Sequence, residues 1–162
     1  MTKNKPITIG DSTIKPGERV NVNLPVADLY TSTSLHMPVQ VICGRKDGPV
    51  LFVSAAIHGD ELNGVEVVRR LLKLRAMRSL RGTLLAVPIV NIHGFLDQSR
   101  YLPDRRDLNR SFPGSSKGSI AARLANIFIQ EIMSKANYGI DLHTGAINRS
   151  NLPQIRANLD DT

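Results

Sequence analysis

The residues with the most chemical potential lie in two short clusters. His58-Gly59-Asp60-Glu61 joins the end of an apolar run (residues 50–57) to the start of an amphipathic stretch. A histidine and a glutamate three positions apart across such a turn can both face one ion. Gly59 between them relieves crowding and permits an unusual backbone angle. A plainer reading is that Asp60 and Glu61 complement the positive end of the following helix. That accounts for the carboxylates but leaves the imidazole unexplained. The second cluster, Asp141-Leu142-His143-Thr144-Gly145, again closes a short apolar segment with a polar rim. Two imidazoles and one carboxylate fill three positions of a tetrahedral zinc and leave the fourth open, the pattern of a catalytic rather than a structural site. His58, Glu61 and His143 are therefore the candidate ligands, for one ion per chain. Asp141 either orients its neighbour as a supporting carboxylate or faces solvent.

A third cluster is the arginine-rich stretch 100–110, which holds Arg100, Arg105, Arg106 and Arg110. Arginine can fork onto a carboxylate or polarise a carbonyl whose oxygen becomes negative in a transition state. Asn109 and Arg110 together suit a substrate carboxylate. Solvated loop charge and a phosphate patch are the alternatives, and composition does not choose between them.

The elements that must position these clusters read as an α/β arrangement. Strands are expected at 7–9, 19–24, 38–43, 50–57, 83–90 and 138–142. Helices are expected over about 62–75, with Leu62, Val65, Val68, Leu71 and Leu72 on one face, and from Gly118 or Ser119 onward. Runs as continuously apolar as 50–57 are typical of central strands covered on both faces. Alternating strands and helices predict parallel central strands, whose carboxyl ends carry the sites of open α/β sheets. Both histidine clusters fall at such ends. Residues 91–117 read as one long loop, and loops of that length inside a domain are usually functional. Residues 1–37 read as a β-rich N-terminal extension ahead of the main body, 38–162.

Composition narrows the partners. The chain has 162 residues, 41% hydrophobic and 22% charged, with a net charge of +7. That charge suggests nucleic acid first, but only 4% of residues are aromatic, which leaves few stacking platforms. Much of the excess lies over 69–81, where basic residues alternate with leucine as on a solvated helix face. No apolar run approaches the length of a membrane span, and the N-terminus lacks the apolar stretch of a secretory signal. One cysteine, Cys43 between apolar neighbours, suits a small core residue and a reducing, cytoplasmic setting.

Taken together, His58-Gly-Asp-Glu61-Leu-Asn-Gly64, Pro88-Ile-Val-Asn91 with Gly94-Phe95, Arg100-Tyr101, Asp107-Leu-Asn-Arg110 with Phe112-Pro-Gly114, and Asp141-Leu-His143 resemble the succinylglutamate desuccinylase and aspartoacylase family, relatives of the zinc carboxypeptidases. The motifs occur in order along nearly the whole chain. The resemblance implies a carboxypeptidase-like mixed sheet between helices and a zinc held by His58, Glu61 and His143. It also implies that Arg100 polarises the scissile carbonyl, and that Asn109 and Arg110 bind the carboxylate of an N-acyl amino acid whose amide bond is hydrolysed by metal-activated water. One departure stands out. The family's general-base glutamate lies well beyond the second histidine, yet the last glutamate here is Glu131. The chain therefore resembles a truncated member in which zinc binding survives and turnover is impaired. The exposed edge of such a half-completed sheet invites pairing with a second copy or with a complementing C-terminal fragment. The competing expectation is a non-catalytic basic α/β fragment that binds anionic ligands or nucleic acid through the 100–110 stretch.

Overall fold

The computed structural model describes residues 2–28, 34–146 and 149–157. Residues 1, 29–33, 147–148 and 158–162 lie outside the described residues. A small antiparallel ribbon, β1 (Ile7–Ile9) and β2 (Ser12–Ile14), precedes the main sheet. Five strands build that sheet: β3 (Arg19–Asp28), β4 (Ser34–Cys43), β5 (Lys46–Ala55), β6 (Arg81–Val87) and β7 (Tyr138–Leu142), in the order β3-β4-β6-β5-β7. The β3–β4 and β4–β6 pairs are antiparallel, while β5 runs parallel to both β6 and β7. The sheet is thus mixed, with its parallel strands at the side that carries the two histidine clusters.

Both faces of the sheet are covered by short helices. On β6, Leu84 and Ala86 turn toward α1 (Asn63–Leu71) and join Ile42, Val53, Ala55, Val68 and Leu72. Leu85 and Val87 turn the other way and join Leu124, Ala125 and Phe128 of α3 (Ile120–Glu131), together with Met37, Val39 and Val41. This two-sided burial explains why β6 and the end of β5 read as apolar without alternation. Each fully buried Leu, Val or Phe contributes about 1.5–3 kcal/mol relative to exposure, so the sheet is rigid where it presents the site. Ser119 caps α3 by accepting a hydrogen bond from the Ala122 N–H at 3.2 Å. Ile9, Ile14, Val22 and Leu24 pack into the α3-side core, so the N-terminal strands share that core.

Several boundaries differ from the sequence expectation, each for a local reason. α1 stops at Leu71, four residues early; the Leu72 carbonyl accepts from Arg19 Nη1 at 3.0 Å, and the chain turns extended at Leu74 before a 3-10 turn at Arg75–Ser79. β6 ends at Val87 because Pro88 offers no N–H to continue a ladder. β5 begins at Lys46, where a turn was expected, pairing with Arg81 before an irregularity that restores register at Val50. The long loop is partly ordered by α2 (Ile92–Leu96) and a 3-10 turn at Leu108–Arg110. β7 closes one edge of the sheet, with Tyr138 66% and Ile140 49% exposed. No described helix is long and apolar enough to cross a membrane.

Candidate metal centre

Both clusters are delivered by the tips of adjacent parallel strands. After β5 the chain turns sharply at Ala56, a non-glycine residue at φ 51°. Such a conformation costs energy and persists only where its surroundings hold it. Here Val90 N–H donates to the Ala55 carbonyl at 3.1 Å and Asn91 N–H to the Ala56 carbonyl at 3.0 Å. Gly59 follows, and its φ is not positive. Its necessity is steric: a Cβ there would sit 1.8 Å from the Gly94 carbonyl carbon, because the turn lies against α2. The Gly59 N–H also donates to the Ser99 carbonyl at 3.0 Å, which ties the turn to the residue before Arg100.

This packing gathers the three predicted ligands. One ligand atom from each of His58, Glu61 and His143 can be chosen so that all three lie within 4.8 Å of one another. His58 Nδ1 lies 2.7 Å from Glu61 Oε1, and His143 Nδ1 lies 2.9 Å from Glu61 Oε2. The Thr144 N–H also donates to Glu61 Oε2, at 2.9 Å. Glu61 is thus no mere complement to the α1 dipole; its two oxygens bridge the strand tips.

The outer ring nitrogens face carboxylates as well. His58 Nε2 is 3.2 Å from Asp107 Oδ1, and His143 Nε2 is 2.6 Å from Asp141 Oδ2. A carboxylate on Nε2 holds the proton there and turns the Nδ1 lone pair inward, as in metal-binding histidines generally. With Nδ1 then facing Glu61, two lone pairs meet, which a proton, a metal cation or, at His58, the Arg100 guanidinium with Nη1 3.3 Å from Nδ1 would offset. Charge points the same way. Glu61, Asp107 and Asp141 are in direct contact with the imidazoles, and the one cation among them is Arg100. With neutral imidazoles the cluster carries a net charge of −2, which a divalent ion would balance. The donor set and its charge therefore fit zinc.

Electrostatics shape the individual groups. The proton affinity of His143 is raised, first by its hydrogen bond to Asp141, against an opposing effect of burial. For Asp107, burial favours the neutral acid, but the charges of His58 and Arg100 and the Asn109 N–H outweigh it and hold the carboxyl below its ordinary range. His58 and Glu61 are each 3% exposed, whereas His143 and Arg100 are 35% and 31% exposed, so the cluster opens to solvent on one side.

The remaining candidates divide. Arg100 is part of the cluster: Nε and Nη2 donate to Asp107 Oδ2 at 3.1 and 3.0 Å, and Nη1 lies 3.5 Å from Glu61 Oε1. Asn109 lies at the rim, lining a cavity of about 470 Å³ with Phe52, Phe112, Phe128 and Asp141. Arg110 is exposed and forms no ion pair among the described residues. Arg105 and Arg106 are exposed as well. Two contributors lacked an assigned role. Asp107 was visible as part of Asp-Leu-Asn-Arg, but nothing local shows that it faces His58. Ser54 donates to Asp141 Oδ1 at 2.8 Å, and its signal was being the lone polar residue in an apolar run.

With this geometry established, comparison with known proteins is decisive. The sequence profile of the succinylglutamate desuccinylase/aspartoacylase catalytic domain matches residues 47–162. The chain belongs to that family. Among curated family relatives, an N-alpha-acetyl-L-2,4-diaminobutyric acid deacetylase from Halomonas elongata is 27% identical over 125 residues, 76% of this chain and 36% of that protein. A succinylglutamate desuccinylase from Silicibacter sp. superposes with a TM-score of 0.73 at 27% identity, over 90% of this chain and 45% of that one. An aspartoacylase family protein from Mesorhizobium loti gives 0.70 at 32% identity, over 80% of this chain and 41% of that one. The chain thus spans less than half the length of these relatives. All the clustered residues, from Ser54 to His143, fall within the family-matched segment 47–162.

Proposed function

We propose that this chain binds one zinc ion through His58, Glu61 and His143 and forms the metal-holding part of a hydrolase that cleaves the amide bond of an N-acyl amino acid. The observation that carries this reading is the convergence of three ligand atoms within 4.8 Å from two adjacent strand tips. Membership of a family of acyl amino acid deacylases supports the substrate class. In the same reading, 38–162 is the front part of a zinc hydrolase catalytic domain preceded by a β-rich extension, in a cytoplasmic setting.

When bound, zinc supplies a Lewis acid that lowers the pKa of a bound water from near 16 to about 7. The chain's own residues do the rest. Asp107 and Asp141 hold the two imidazoles with Nδ1 inward. Arg100, fixed by Asp107 and partly exposed, would donate to a substrate carbonyl as its oxygen gains charge, a role worth about 3–4 kcal/mol in single-donor deletions. Arg110, without a partner among the described residues, and Asn109 beside it are free to take a substrate carboxylate. This commitment of Arg100 to Asp107 also weighs against the anion-binding alternative, since the stretch 100–110 is not a uniform phosphate patch.

Proton transfer is the weak point. Glu18 Oε2 accepts from Lys15 N–H, Glu66 pairs with Arg69 and Arg70, and Glu131 Oε2 accepts from Gly10 N–H and Lys135. Among the described residues no glutamate besides Glu61 reaches the centre. A missing general base costs about 10²–10⁴-fold in rate, so the chain is expected to bind zinc and hydrolyse weakly. The open β7 edge suits pairing with a further strand, from a second copy or from a C-terminal segment. Zinc content after dialysis, with and without His58→Ala or His143→Ala, tests the metal assignment, and release of amine from N-acyl amino acids tests turnover. Zinc retained equally by both variants would refute the ligand set. Rapid turnover by the chain alone would refute the expectation of a missing base.

A further inference from the structure

The two carboxylates that back the histidines are anchored unequally. Asp107 is held by Arg100 through two contacts and by the Asn109 N–H at 2.9 Å. Asp141 has no arginine. Apart from His143, its side chain has one partner among the described residues, the Ser54 hydroxyl, which donates to Oδ1 at 2.8 Å while Oδ2 faces His143.

The placement of Ser54 is specific. It lies in the last part of β5 and is fully buried. It faces Asp141 directly in the parallel β5–β7 register. Residues paired across neighbouring strands put their side chains on the same face of the sheet, so hydroxyl and carboxylate meet on the α3 side. That side is lined by Phe52, Phe112 and Phe128, where a hydroxyl without an acceptor would be costly. No other polar residue occurs over 50–57. A serine at this point serves no packing purpose that alanine would not serve better. Its chemical purpose is to fix the carboxylate that sets the ring of His143.

We propose that Ser54 is a positioning residue of the metal centre: its buried hydroxyl orients Asp141, and Asp141 in turn holds the His143 ring with Nδ1 toward the shared ligand position. This inference rests on the zinc reading above. Loss of a group that directly supports a metal-bound histidine weakens metal affinity about 10–100-fold, and Ser54 acts one bond further out. Ser54→Ala is therefore expected to weaken zinc binding by about 3–10-fold.

The test uses the full 162-residue chain, zinc competition with a chromophoric chelator, and the visible absorption of the cobalt-loaded protein. Ser54→Ala should weaken zinc by that factor and alter the cobalt bands, with the urea midpoint of the metal-free protein little changed. Ser54→Thr should keep the native affinity, while Ser54→Val, the same shape without a hydroxyl, should lose it. That pair cancels packing effects and decides the matter even if the alanine variant folds poorly. In an Asp141→Ala background, Ser54→Ala should add nothing further. Native-like zinc affinity in both Ser54→Ala and Ser54→Val overturns the proposal and leaves the ligand assignment standing. An equal loss with and without Asp141 overturns it too, because Ser54 would then act by packing. A chain that takes up no zinc at all overturns the ligand assignment and this role together.

Discussion

Asp107→Asn separates the proposed bracing of the metal centre from its packing. The substitution keeps size and shape, but an amide has one acceptor oxygen and one donor group where the carboxylate has two acceptors. Asp107 uses both oxygens for donors: Oδ1 faces His58 Nε2 at 3.2 Å and accepts the Asn109 N–H at 2.9 Å, while Oδ2 accepts Arg100 Nε and Nη2 at 3.1 and 3.0 Å. In one amide orientation the NH₂ group points at the guanidinium and Arg100 is released. In the other it points at His58 Nε2 and favours the tautomer with the proton on Nδ1, where a metal must bind. Either outcome damages the centre. Zinc affinity should fall about 10–100-fold, or about 1.4–2.7 kcal/mol at 1.36 kcal/mol per factor of ten. If the first orientation prevails, Arg100 also loses contacts with a charged group, worth about 1.5–3 kcal/mol. The assay is zinc competition against a chromophoric chelator, with urea unfolding of the metal-free chain as a control for folding. A folded variant whose zinc affinity stays within about twofold of the native value would refute the bracing role and the tautomer argument with it.

Other perturbations probe separate parts of the structure. Gly59→Ala drives a Cβ to 1.8 Å from the Gly94 carbonyl carbon, backbone against backbone, and should destabilise by about 3 kcal/mol or more; an unchanged urea midpoint would show that the turn does not pack against α2. Arg110→Ala should change stability by less than about 0.5 kcal/mol yet weaken binding of an N-acetyl amino acid to the zinc-loaded chain about tenfold or more, as read by titration calorimetry. His93, buried on α2, has its proton affinity lowered first by burial, against the opposing charges of Asp97 and Asp104. Its unfolded form titrates near 6.5, so its contribution is complete above that pH and falls as pH drops toward the lower folded value, with a slope of at most about 1.4 kcal/mol per pH unit. Urea midpoints measured from pH 7.5 to 5 should therefore decline less steeply in His93→Leu, and parallel curves would refute the assignment.

How much of this was legible from residues alone depended on the range of the interaction. Ligand types and their location at strand ends followed from local patterns, because a polar cluster after a buried apolar strand has few structural reasons to exist. Strands β4, β5, β6 and β7 followed from runs of apolar residues whose ends were marked by Gly or Pro. Boundaries were less legible where tertiary contacts set them: Arg19, far away in sequence, captures the Leu72 carbonyl at the end of α1. The need for Gly59 was visible but its cause was not, since the clash involves Gly94 across the fold. Asp107 and Ser54 were harder still. Their partners lie 49 and 87 residues away, and no spacing rule reports which carboxylate will face which imidazole.

In the proposed reading, metal affinity and turnover draw on different parts of the chain. The candidate ligands are mutually braced: two buried ones on one strand tip, a third on its neighbour, and a carboxylate behind each imidazole. Arg100 connects this centre to the open side, because the same Asp107 that sets His58 also sets the guanidinium. On the proposed reading, removing Asp107 affects His58 and Arg100 together, whereas removing Asp141 acts on the metal position through His143. Among the described residues Asp107, Asp141 and Glu61 each hold an imidazole, and the other glutamates are committed elsewhere. A glutamate supplied from outside the described residues would meet the centre at its more exposed members, His143 and Arg100.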